Sequence, residues 1–120
     1  NEKLIEKLKD GEKIILIRHA LAPGSGDPIN FDLNDCTTQR NLNIEGVEQS
    51  KKIGSFFNKN NIPIDQVLSS EWCRCKDTAS IAFNNFETQT FLNSFSYLTN
   101  KNSLVRFGTY CCLSKIRPTR

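Results

Sequence analysis

His19 is the only histidine in the chain. It follows the run "IILIR", residues 14–18, and opens onto "ALAPGSGD", a loop punctuated by Pro23, Gly24 and Gly26. A neutral imidazole attacks phosphorus when its second nitrogen is held as a donor by a nearby acceptor. Arg18 stands directly before His19, and Arg74 lies far downstream in "SSEWCR", residues 69–74. Guanidinium forks bind phosphate oxygens two at a time and keep their charge at any working pH. One imidazole and two guanidiniums make a residue set suited to phosphoryl transfer, with the arginines holding the equatorial oxygens. Gln39 and Arg40, in the same long loop, are candidate substrate contacts.

Those residues matter together only if the chain brings them together. Residues 2–9 place Leu4, Ile5 and Leu8 at helical spacing. Residues 13–18 form a short apolar, β-branched run, which predicts a strand buried on both faces. Residues 20–42 carry no clear periodicity, and a loop of that length in a compact domain is usually functional. Asn43 can cap a helix over 44–59, with Val47, Ser50, Ile53, Gly54 and Phe57 inward and Glu48 paired to Lys52. Pro63 biases Ile62 away from helical angles, and "DQVLS", residues 65–69, predicts a second strand. Ser69 or Ser70 then caps a third helix over 71–83, with Trp72, Cys75, Ala79 and Ala82 inward.

Strand, loop, helix, strand, helix is the pattern of an α/β fold. Parallel strands joined by a crossover helix end at one edge of the sheet, where ligands of open α/β sheets bind. That edge would gather Arg18 and His19 with Arg74. The first turn of a helix also offers free N–H groups to an anion.

A chain of 120 residues with 38% apolar and 24% charged side chains suits one globular domain, residues 1–120. No apolar run approaches the roughly 20 residues of a membrane span, which argues against a membrane partner. The net charge of +3 is scattered, without a basic and aromatic stripe, so no nucleic-acid partner is expected. The C-x-C spacing of Cys73 and Cys75 lacks the arms and histidines of a structural zinc site, so no metal or cofactor is expected. In an exported protein Cys36 can bridge to Cys73 or to Cys75. In a reducing compartment the five cysteines would serve as small buried hydrophobes. The sequence begins at Asn1 and holds no methionine, which fits removal of a leader segment.

"LIRHA", "LNIEGVEQSKKIG" and "VLSSEWCRCKDTA", in that order, resemble the histidine phosphatase superfamily, which includes phosphoglycerate mutases and phosphohistidine phosphatases. Leu42, Asn43, Gly46 and Gln49 fit its middle motif, and Ser69, Ser70 and Arg74 its third. "DCTTQRNL", "WCRC" and "LNSF" (residues 92–95) look like a bacterial branch often exported with a leader peptide. That likeness implies a periplasmic or otherwise exported protein, with the cytoplasm as the alternative. The resemblance covers about residues 3–95. It implies an α/β three-layer sandwich, a mostly parallel sheet flanked by helices, phosphoglycerate mutase-like and incomplete at its C-terminus. It further implies a phosphatase acting on a small phosphomonoester or phosphoramidate. His19 would carry the phosphoryl group, and Arg18 and Arg74 would hold it.

The superfamily carries a second catalytic histidine after a later strand, and this chain has none. The natural place for that strand is "NSLVRF", residues 102–107, yet residues 96–120 depart from the superfamily's pattern. A truncated gene, a changed reading frame and a diverged tail each account for the departure. Glu87 is a candidate proton donor by position and Asp35 a weaker one. The alternative reading is a catalytically impaired phosphoryl-ligand binder, or a partial product. A redox or metal protein using Cys73 and Cys75 is the third. Loss of the last strands would expose a sheet edge and favour self-association.

Overall fold

The computed structural model describes residues 2–11, 13–93 and the backbone of 110–115. Its elements in chain order are α1 (Glu2–Lys9), β1 (Ile14–Arg18), α2 (Ile44–Lys59), β2 (Gln66–Ser69), α3 (Cys73–Phe83), β3 (Glu87–Thr88) and β4 (Tyr110–Lys115). Short 3₁₀ turns occupy Cys36–Thr38 and Thr90–Leu92.

The sheet order is β1-β4-β2-β3. β4 runs antiparallel to both β1 and β2, while β2 and β3 are parallel. Three of the four strands therefore point one way, although only one adjacent pair is parallel. Ile17 and Ser69 pair with the same residue of β4, Cys112, from its two sides. The C-terminal ends of β1 and β2 are thus level at one sheet edge, with β4 between them. The expected strand at 102–107 lies outside the described residues.

One face of the sheet carries the helices. Phe57 of α2 and Ile62 form a buried cluster with Leu8 of α1, Ile15 and Ile17 of β1, and Phe83 of α3. Val67 and Ala79 continue it along β2 and α3. On the opposite face Ile14 and Leu16 are 66% and 50% exposed. The expectation of a β1 buried on both faces is corrected: its burial alternates, as in a strand covered on one side. The described residues form a helical layer on a mixed sheet; the third layer expected from the resemblance is not among them.

α2 has the expected bounds. Asn43 takes extended backbone angles and its side chain accepts the Gly46 N–H at 2.8 Å, closing the first turn. Glu48 pairs with Lys51 at 3.3 Å, one residue short of the expected Lys52. Gly54 is buried where α2 crosses α3, and a Cβ there would lie 2.3 Å from the Ala82 carbonyl oxygen. α3 starts two residues later than expected, at Cys73. Ser70 Oγ accepts the Trp72 N–H at 3.0 Å just ahead of it.

Candidate active site

His19 follows β1 at the edge where β2 also ends. Its Nδ1 lies 2.7 Å from the carbonyl oxygen of Ala20. A carbonyl only accepts, so Nδ1 carries the proton and Nε2 keeps the lone pair. Burial lowers the His19 pKa below its ordinary 6.5. The Ala20 hydrogen bond opposes this, and the charges of Arg74, Arg40 and Arg18 reinforce it. The imidazole is therefore held neutral among three guanidiniums.

Two groups of contacts fix the chain just after His19. The Ala20 N–H donates to Thr78 Oγ1 at 3.0 Å, and that hydroxyl donates to the Arg74 carbonyl at 2.8 Å. Thr78 is buried on α3, one turn beyond Arg74, so a single side chain links the backbones of the His19 and Arg74 regions. The second group comes from α2. Leu21 N–H donates to Gln49 Oε1 at 2.8 Å, and Leu21 O accepts the Asn43 N–H at 3.3 Å. A Cβ on Gly46 would lie 2.2 Å from that oxygen, so only glycine permits the approach. Asn43, Gly46 and Gln49, three of the motif residues, thus form a clamp on the chain two residues past the histidine.

Arg74 is 8% exposed, and Asp27 holds it. Its Nη1 donates to Asp27 Oδ1 at 2.9 Å and Oδ2 at 3.2 Å, and to the Arg40 carbonyl at 3.3 Å. Asp27 also accepts the Arg40 N–H and the Trp72 Nε1–H, both at 3.0 Å. Burial pushes the Asp27 carboxyl up. Arg74, the Arg40 amide and the Trp72 indole outweigh it and hold the group below its ordinary value of 3.8. No signal in the sequence singled out Asp27 or Thr78.

The other expected site residues divide. Arg18 is exposed, and among the described residues its guanidinium has no hydrogen-bond or ion-pair partner. Arg40 donates from Nε to the Gly26 carbonyl at 2.8 Å and from Nη1 to the Ala22 carbonyl, bracing the loop. Gly26, at φ 68°, makes the turn that this bracing needs. Gln39, expected as a candidate substrate contact, has its amide engaged within the protein. Gln39 is buried, its Nε2 donating to Asp32 O at 2.9 Å and its Oε1 accepting the Cys73 N–H at 3.0 Å. It is a strut between loop and helix.

Part of the set of amides expected to be free at the start of α3 is also engaged. The Cys73 N–H goes to Gln39, and the Cys75 and Lys76 N–H groups both return to the Trp72 carbonyl. Asp35 caps the turn Cys36–Thr38 by accepting from Thr37, and Glu87 is exposed on β3. Neither makes a described contact with His19.

Cys36 is joined to Cys73 by a disulfide, which ties the loop to the residue before Arg74. Cys75 is disulfide-bonded as well, so neither sulfur of the C-x-C pair is a free thiolate for a metal. Among the described residues no group of three His, Cys, Asp or Glu is placed to hold a metal, and no helix is long and apolar enough to cross a membrane.

An imidazole with Nε2 unbonded among the described residues, within the field of three guanidiniums at the strand-end edge of an α/β sheet, is an arrangement chemically suited to an oxyanion. The family model described as histidine phosphatase superfamily (branch 1) matches residues 14–93, and the chain belongs to that superfamily. The matched span runs from β1 through α2, β2 and α3, and so contains His19, Asp27, Arg74 and Thr78. Searches of curated proteins and of solved structures returned no match.

Proposed function

We propose that the chain hydrolyses a phosphomonoester or phosphoramidate through a phosphohistidine on His19. Membership of the superfamily supports phosphatase-type chemistry in general. The observation that carries the finer reading is His19 itself, its Nδ1 bonded to the Ala20 carbonyl and its pKa lowered first by burial and then by the charges of Arg74, Arg40 and Arg18.

In the first step Nε2 attacks phosphorus, the P–N bond forms, and the P–O or P–N bond to the leaving group breaks. Arg74 and Arg18 hold the non-bridging oxygens as charge redistributes over them. In the second step water attacks the phosphohistidine, the P–N bond breaks, and inorganic phosphate leaves. His19 returns to its neutral form. An aryl oxygen or a protonated amine departs without strong acid assistance, so such substrates place the least demand on a proton donor. The Cys36–Cys73 disulfide supports an oxidising compartment such as the periplasm.

The chain's single histidine favours a second reading, in which the site binds a phosphoryl ligand with little or no turnover. Hydrolysis of an aryl phosphate between pH 5 and 8, with His19→Ala alongside, separates the two. Turnover that disappears in the variant supports the phosphatase. Phosphate binding without turnover supports the binder.

A further inference from the structure

Asp27, which none of the motifs contains, ties three parts of the site together. Its carboxylate accepts from one side chain of α3, from the indole just before α3 and from a backbone amide of the loop. With Asp27 and the Arg40 carbonyl, Nη1 of Arg74 has an acceptor for each of its two hydrogens. Nε of the same guanidinium is buried and has no hydrogen-bond partner among the described residues. A buried donor left open is rare in a folded protein and calls for an explanation. In a guanidinium, Nε–H and one hydrogen of Nη2 point the same way. They form the edge whose spacing matches two oxygens of one oxyanion.

We propose that Asp27 is a positioning residue for phosphoryl binding: by anchoring Nη1 of Arg74 it leaves the Nε–Nη2 edge of that guanidinium to the phosphoryl oxygens beside His19. This role rests on the phosphoryl-transfer reading of the site and adds to it the residue that orients its buried arginine. The carboxylate need not touch substrate; it acts through Arg74. The isosteric Asp27→Asn change removes the charge and turns an NH₂ group toward donors that need an acceptor.

The test is calorimetric titration of orthophosphate into the 120-residue chain and its variants. Folding is followed in parallel through Trp72, the only tryptophan. Asp27→Asn is expected to weaken phosphate binding about tenfold, and Arg74→Ala by at least as much. The double variant is expected to bind within about twofold of Arg74→Ala alone, because Asp27 has nothing to position once the guanidinium is gone. Asp27→Glu, which keeps the charge, is expected to bind within about threefold of the unaltered chain. Additive losses in the double variant overturn the role, as does unchanged or tighter binding by Asp27→Asn. Equal losses in the Glu and Asn variants point to packing rather than charge and also overturn it. If the unaltered chain binds no phosphate, the phosphoryl site itself falls and this role with it.

Discussion

At the scale of single residues, the proposed nucleophile His19 owes its tautomer and its lowered pKa to its immediate surroundings. The adjacent Ala20 carbonyl fixes which nitrogen carries the proton, and burial with three positive charges keeps the ring neutral. A histidine whose folded pKa is lowered binds fewer protons folded than unfolded as pH falls below 6.5. Its contribution to stability is complete above that value and is lost as pH falls through the folded pKa. Asp27, lowered from 3.8, adds a second loss at more acidic pH. The thermal midpoint is therefore expected to decline in two stages on acidification, and His19→Ala is expected to remove the earlier one. Melting curves across pH 3–8 check this, and an unchanged first stage in the variant would contradict it. His19, Arg18 and Arg74 could be singled out in the sequence because imidazole and guanidinium chemistry is distinctive by type. Asp27 and Thr78 were not, since an aspartate after glycine or a threonine in a helix has many ordinary uses. Gln39 shows the reverse difficulty: its type and place in a polar loop suggest a ligand contact, and nothing local announces the buried strut it forms.

At the scale of elements, the motif around α2 explains itself through the loop it grips. Asn43 closes the first turn, Gly46 admits the Leu21 carbonyl, and Gln49 takes the Leu21 N–H. The amphipathic pattern and the cap made α2 readable to the residue, whereas the grip on Leu21 depends on packing that no local pattern encodes. Gly46 and Gly54 give a matched pair of tests. An alanine Cβ would meet a backbone oxygen at 2.2 Å in the first case and 2.3 Å in the second. Each change is expected to destabilise the chain by about 1–3 kcal/mol through overpacking. Gly46→Ala should also displace the chain beside His19 and cut aryl phosphate turnover at least tenfold, while Gly54→Ala, at the crossing of α2 and α3, should leave most of it. Equal activity in the two variants, measured with their melting points, would contradict the clamp.

At the scale of the whole molecule, the alternation of strand and helix gave the α/β class, and the sheet departs from it in one strand. β4 enters between β1 and β2 in the antiparallel sense, so the two parallel strands of the site are separated by it. Nothing in the tail's composition indicated that direction, because strand pairing is decided by tertiary contacts rather than by the strand's own residues. β1 is an edge strand, and among the described residues nothing covers Ile14 and Leu16 on the face away from the helices. Such an edge invites pairing with a second copy. Concentration-dependent association is expected by analytical ultracentrifugation, reduced by Ile14→Lys with Leu16→Lys. A clean monomer at high concentration would contradict it.

The most direct test of the central claim is to trap the intermediate. Because His19 is the only histidine, any phosphohistidine in this chain is on His19. The chain is mixed with phosphoramidate or an aryl phosphate, quenched in alkali, digested and analysed by mass spectrometry. The account predicts an acid-labile phosphoryl group on the peptide that contains His19, absent from His19→Ala. Substrate hydrolysed with no phosphoryl group on His19 at any quench time, and at the same rate in the variant, would contradict it.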